Sequence, residues 1–173
     1  MITIGIDPGA KYTGVSVRDR NVVLLSSTYV RPDDTNIVTW AVEVVKRVHE
    51  EVRSLYPDAK VGIEGVTVPN AYNQGKLTML SPKYIIFTGI LVGAFSNQYP
   101  DAVIVRPGKN GSQSIGTYPP ELSGRRPKTL PGMSLGAGTR NHEKSAWDIA
   151  GEVEFLLGQG QVLDQTVTKK KTK

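Results

Sequence analysis

Three acidic residues stand where this chain could do chemistry. Asp7 ends the apolar stretch Ile2-Thr3-Ile4-Gly5-Ile6, Glu64 ends Lys60-Val61-Gly62-Ile63, and Asp148 lies in the periodic segment that opens at Asn141. Sequence ends of sheet strands are where α/β proteins place ligand-binding groups. Taken singly, each acid is an ordinary turn former or helix cap. Taken together, three carboxylates directed into one cleft repel one another unless cations neutralise them. The chain has no cysteine, so its donors are hard oxygens, which favour Mg²⁺ or Mn²⁺. Two such ions about 4 Å apart activate a water and stabilise the leaving oxygen in phosphodiester cleavage.

The elements that position these acids are legible from hydrophobic spacing. Residues 2–7 alternate apolar with small or polar side chains and predict a strand, which Pro8-Gly9 ends. Residues 13–18 and 21–30 predict two more, joined by a tight hairpin at Asp19-Arg20-Asn21. Asp33 to Asn36 offer helix caps. After them Ile37, Ala41, Val44, Val45, Val48, Val52 and Leu55 recur at helical spacing to about Tyr56. Residues 60–64 and 102–106 predict strands. Residues 75–97 predict a helix broken near Ser81-Pro82, and residues 141 to about 157 a last one. Residues 107–139 hold seven glycines and five prolines and keep no period; a stretch of that length inside a domain is functional or mobile. The order predicts an α/β fold, a mixed sheet whose first three strands are antiparallel, flanked by helices.

Length and charge narrow the function. The 173 residues fit one domain. The longest apolar run, Tyr84 to Phe95, is too short to span a bilayer, and MITIGID has no basic segment before its apolar residues, which argues against a secretory leader. With no disulfide framework, the expected compartment is the cytoplasm. The net charge of +5 is unevenly spread. Residues 1–104 balance, residues 105–144 carry seven basic and two acidic side chains, and residues 169–173 add four lysines. Clustered cations gain free energy by displacing counterions from phosphates, so the expected partner is a polyanion.

The motifs resemble those of the RuvC-type Holliday junction resolvases. Ile4-Gly5-Ile6-Asp7-Pro8-Gly9 with Thr13-Gly14 is similar to their first motif, Val61-Gly62-Ile63-Glu64 to the second, and Ser145-Ala146-Trp147-Asp148-Ile149-Ala150 to the third. With Arg140-Asn141-His142-Glu143 ahead of the last acid, the chain is most similar to the small resolvases that bacteriophages encode. The resemblance covers about residues 1–158. It implies an RNase H-like fold with a five-stranded sheet in one nuclease domain, 1–158, followed by a flexible basic tail, 159–173. It implies a homodimer in a bacterial or phage-infected host cytoplasm, with no membrane and no nucleotide cofactor. The activity implied is a Mg²⁺-dependent endodeoxyribonuclease that resolves four-way junctions and other branched DNA by paired hydrolysis. Asp7, Glu64 and Asp148 would hold two Mg²⁺ per site, replaceable by Mn²⁺, with Asp7 shared between them.

Two positions depart from that pattern. Ser145 stands where the family has an acid or histidine three residues before the last acid, and a hydroxyl is a poor Mg²⁺ ligand. On an ideal helix Ser145 shares the face of Asp148, as do Asn141 and Glu152, whereas His142 lies off it. His142 is open to three roles: ligand or proton shuttle, phosphate contact, and helix cap. Thr67 stands where the family has a junction-probing aromatic, and Tyr72 is its candidate replacement. Expected DNA contacts are Lys11 and Tyr12 beside the first motif, Tyr72, Lys109, the Arg125-Arg126-Pro127-Lys128 arm, Arg140 and Lys144. Contacts of this kind grip backbone and carry no sequence information. The alternatives are a non-catalytic branched-DNA-binding module and the same chemistry on flaps, forks or RNA–DNA hybrids. An actin-like ATPase, which also opens on an Asp-x-Gly strand, needs a second subdomain for which this length leaves no room.

Overall fold

The structure is a computed structural model, and it describes residues 1–66, 82–107, 118–123 and 139–158. Five strands form one sheet: β1 (Ile2–Pro8), β2 (Tyr12–Asp19), β3 (Val22–Val30), β4 (Lys60–Glu64) and β5 (Val103–Val105). Their order is β3-β2-β1-β4-β5. The β1–β2 and β2–β3 pairs are antiparallel, and β1–β4 and β4–β5 are parallel. Asp19-Arg20-Asn21 makes the tight hairpin its composition predicts, with Arg20 at φ 52°. Three α-helices complete the described fold: α1 (Ile37–Val48), α2 (Pro82–Gln98) and α3 (Thr139–Gly158).

Strand alternation sorts the sheet into two unlike faces. Ile4, Ile6, Val15, Val17, Val61 and Ile63 point to one side and form a single core with Trp40, Val44 and Val48 of α1 and Leu91 and Phe95 of α2. Each fully buried side chain of that size contributes about 1.5–3 kcal/mol. The opposite face is built from the intervening residues Gly5, Asp7, Gly14, Gly62 and Glu64, and α3 packs against it. Ile149 and Val153 of α3 close a smaller apolar cluster there with Val105. Asp7 and Glu64 therefore point toward α3 as a consequence of the period-two pattern that buries Ile6 and Ile63 on the other side.

The helix boundaries differ from the sequence expectation in two places. Asn36 caps α1 by accepting from the Thr39 amide at 2.9 Å. The chain does not stay α-helical to Tyr56, because a π-turn follows over His49–Arg53, with the Ser54 amide donating to the His49 carbonyl at 3.0 Å. The wider turn keeps Val52 in the core and leaves Leu55, expected on the apolar face, 64% exposed. α3 begins at Thr139, so Asp148 lies in its third turn. The segment expected to be structureless, 107–139, contains a short 3₁₀ turn at Pro120–Leu122 whose Leu122 is fully buried. No described helix is long and apolar enough to cross a membrane.

Candidate active site

Close approach of α3 to the sheet creates the site. A Cβ on Gly5 would lie 1.9 Å from the Ala146 carbonyl oxygen, and one on Gly14 would lie 2.1 Å from that of His142. Neither backbone can yield that much, so only glycine lets the helix lie this near. The face of α3 that meets the sheet carries His142, Ala146, Ile149, Ala150 and Val153. These residues recur at three- and four-residue steps, as one helix face requires.

At the top of this contact β1 delivers Asp7 and β4 delivers Glu64. The register pairs Gly5 with Gly62 and Ile6 with Ile63, which sets the two acids side by side at the ends of neighbouring parallel strands. Asp7 is 6% exposed. Burial pushes the Glu64 carboxyl up to about 8, and the charge of Asp7 and a hydrogen bond to it add to the rise. Near neutral pH the neutral Glu64 therefore donates to Asp7. His142 completes the cluster: its Nδ1 lies 2.8 Å from Asp7 Oδ2. Where Asp7 accepts in this contact, Nδ1 carries the hydrogen, and a neutral ring then presents Nε2 as its acceptor. Tyr12 lies beside the imidazole, with ring centroids 5.6 Å apart and planes tilted by 36°.

Asp148 has a different setting. Tyr118 donates a hydrogen bond to its Oδ2 at 2.6 Å, and Lys144 lies over the Tyr118 ring, 5.1 Å from the centroid. The carboxylate of Asp148 acts on Arg18, whereas the groups that move Glu64 are burial and Asp7. Among the described residues no three His, Asp or Glu side chains converge closely enough to hold one metal ion. The structure thus brings Asp7, Glu64 and His142 together, and holds Asp148 on the flank of α3 against the 118–123 segment. Ser145 is half-buried on the same helix. The two carboxylates pressed together offer hard oxygens, the donor chemistry that suits a divalent cation such as Mg²⁺ or Mn²⁺.

Of the expected DNA contacts, Lys11 forms an ion pair with the exposed carboxylate of Asp33, which holds that carboxyl below its ordinary range. Tyr12 and Lys144 take the positions given above. Tyr72, Lys109, Arg125, Arg126 and Lys128, the side chain of Arg140 and the tail 159–173 lie outside the described residues.

Three residues at the site were not singled out by sequence. Arg31 donates from Nε to the Ala10 carbonyl at 2.9 Å and so braces the turn after Asp7. Glu143 is fully buried and accepts from Ser26 and Thr28. Tyr118 reaches Asp148. The usable signals were faint: a run of hydroxyls, Ser26-Ser27-Thr28, in a strand, and one aromatic inside a glycine- and proline-rich stretch.

No protein-family model and no curated protein sequence matches the chain. Solved structures do. A T. thermophilus RuvC in complex with a Holliday junction substrate superposes with a TM-score of 0.61 at 16% identity, covering 93% of this chain and 97% of that one. A second Thermus thermophilus RuvC structure gives 0.52 at 16% identity, covering 93% and 98%. With the strand order and mixed pairing described above, this likeness establishes that the chain has the RNase H-like fold in the form that RuvC has.

Proposed function

We propose that the chain is a divalent-metal-dependent endonuclease of branched DNA, acting on four-way junctions, like the small resolvases that bacteriophages encode. The observation that carries this reading is the Asp7–Glu64 pair, coupled to His142, at the ends of neighbouring strands in a RuvC-like fold. Asp7 and Glu64 would hold Mg²⁺, His142 would orient Asp7 through its Nδ1 contact, and Asp148 would supply the third acid once released from Tyr118. When bound, the ions would lower the pKa of water and offset the charge that builds on the phosphate.

The chain's own residues have definite tasks in that reaction. Glu64 gives up the proton it shares with Asp7, which removes the competitor for both carboxylates. Asp7 orients the imidazole through Nδ1, so a proton can pass through Nε2. In the hydrolysis a water oxygen bonds to phosphorus, one P–O ester bond breaks, and the departing oxygen takes up a proton. Tyr12 and Lys144 border the site and suit stacking and phosphate contact. The basic segments carrying Lys109, Arg125, Arg126, Lys128 and Arg140, with Tyr72 after the second acid, would grip the backbone of the branches.

A homodimer suits a substrate cut at two symmetric places. α2 is apolar around its circumference and exposes Tyr84 and Ile86, while α1 exposes Val38 and Val42; such faces mark a partner surface. A reducing cytoplasm suits a chain without cysteine.

The test is cleavage of an end-labelled synthetic four-way junction with and without Mg²⁺, beside linear duplex, a fork and an RNA–DNA hybrid. Metal-dependent paired nicks on the junction are the expected result. Tight junction binding without nicks in Mg²⁺ or Mn²⁺ would leave a branched-DNA-binding module, and preferential cutting of the fork or hybrid would reassign the substrate.

A further inference from the structure

The N-terminal part of α3 is held from a side that the proposed chemistry does not use. Ser26 Oγ donates to Glu143 Oε2 at 3.0 Å, and Thr28 Oγ1 donates to Glu143 Oε1 at 3.1 Å. The two hydroxyls stand on alternate residues of β3, hence on one face of the strand. Each engages a different oxygen of one carboxylate. Glu143 is fully buried and Thr28 is 7% exposed. An acid is expensive to place there unless its oxygens are satisfied. A shorter apolar residue would fill the space without that cost, so bulk alone does not account for glutamate.

What distinguishes this position is its neighbour. His142 is the preceding residue, and its ring meets Asp7 at 2.8 Å. The first turn of a helix lacks internal partners for its amides and frays readily. Here three restraints meet at its end: Gly14 admits the His142 carbonyl against β2, Tyr12 lies against the ring, and Glu143, the residue that follows, ties the helix to β3. The first two limit how close the helix lies and how the ring tilts. The Glu143 clamp, with hydroxyls at two levels of β3, resists rotation about the helix axis right beside His142, whereas Tyr118 on Asp148 and Arg18 on the Trp147 carbonyl hold α3 further along, and rotation carries His142 toward or away from Asp7.

We infer that Glu143, gripped by Ser26 and Thr28, is a positioning residue that sets the His142–Asp7 contact. The geometric claim stands on the contacts alone; its consequence for DNA cleavage rests on the nuclease reading above. Outer partners of this sort typically alter activity or metal affinity by about 10- to 100-fold.

The chain has two histidines, His49 and His142, so ring ¹⁵N spectra of histidine-labelled full-length protein assign readily. The wild type is expected to show His142 with its hydrogen on Nδ1. In Ser26→Ala/Thr28→Val that signal should move toward the mixed tautomers of a free imidazole while His49 stays unchanged. Glu143→Ala should do the same, and Glu143→Gln, which keeps one acceptor oxygen, should restore most of the wild-type spectrum. Junction cleavage, read in parallel, should lose kcat by about 10- to 100-fold with KM nearly unchanged. If the double variant does not fold, Ser26→Ala and Thr28→Val singly supply the same readout with one contact removed. A cooperatively folded variant whose His142 signals match the wild type would overturn the inference. A wild type that cuts no DNA, yet shows the tautomer shift in the variants, would uphold the positioning role and remove the nuclease reading instead.

Discussion

His142 Nδ1 and Asp7 Oδ2 meet at 2.8 Å although 135 residues separate them in the chain. The contact joins the last helix to the first strand at the point where Glu64 also arrives. Because Asp7 serves both neighbours, it is the residue on which the cluster depends. Asp7→Asn keeps the volume and removes the charge. Junction cleavage should fall on the order of a thousandfold while junction binding persists. Gel-shift and cleavage assays on one protein preparation separate the two effects. A variant that still cuts within a few-fold of wild type would remove Asp7 from the chemistry.

The acid pair predicts a pH dependence of stability in the metal-free protein. Glu64 is raised from 4.5 to about 8 on folding. The folded state therefore holds a proton that the unfolded state has released over this interval. The stabilisation from Glu64 is complete below about 4.5 and is lost as pH rises through about 8. Thermal melts in chelator should show Tm falling across that window, and Glu64→Gln should flatten the trend. Mn²⁺ should raise Tm most at the alkaline end, where both carboxylates are ionised. A cation effect independent of pH would count against ligation by this pair.

Glycine positions give predictions of opposite sign. Gly5→Ala drives a methyl into the Ala146 carbonyl and should cost about 3 kcal/mol in chemical denaturation. Gly89→Ala, in α2, meets nothing within 4 Å and should stabilise by about 1 kcal/mol through helix propensity. Equal effects at the two sites would mean that α3 does not lie against Gly5 of β1.

Much of this arrangement was legible in the sequence because it follows from short-range rules. Alternation over residues 2–7 already separates Ile4 and Ile6 from Gly5 and Asp7, and the same rule sorts Val61 and Ile63 from Gly62 and Glu64. The strands, the mixed pairing and the two strand-end acids follow. Long-range choices were less visible. Taking Asp148 as the reference for the working face of α3 grouped it with Asn141, Ser145 and Glu152, and placed His142 off that face although it was a candidate for the chemistry. The helix meets the sheet instead through His142, Ala146 and Val153, because Gly5, Gly14 and Gly62 admit it there. The grip of Glu143 on Ser26 and Thr28 spans more than a hundred residues, and no local period encodes a contact of that kind. Leu122 and Tyr118 were hidden for another reason: they lie in a stretch rich in glycine and proline, which erase periodicity whether or not a side chain is buried.

The last prediction concerns whether Asp148 joins the metal set. Leu122 anchors the 118–123 segment, and Tyr118 donates to Asp148 at 2.6 Å. That hydrogen bond occupies a carboxylate oxygen that a cation would otherwise use. Tyr118→Phe removes the donor and keeps the ring beneath Lys144. A hydrogen bond of this type is worth about 1 kcal/mol net, so freeing the oxygen should tighten Mn²⁺ binding about fivefold. Calorimetric titration of Mn²⁺ into the DNA-free protein reads this directly, with Asp148→Asn as the companion variant. If Asp148 is a ligand, Tyr118→Phe tightens binding and Asp148→Asn weakens it. If neither moves the affinity, Asp7 and Glu64 hold the cation without Asp148, and the Tyr118–Asp148 bond serves to fasten the 118–123 segment to α3.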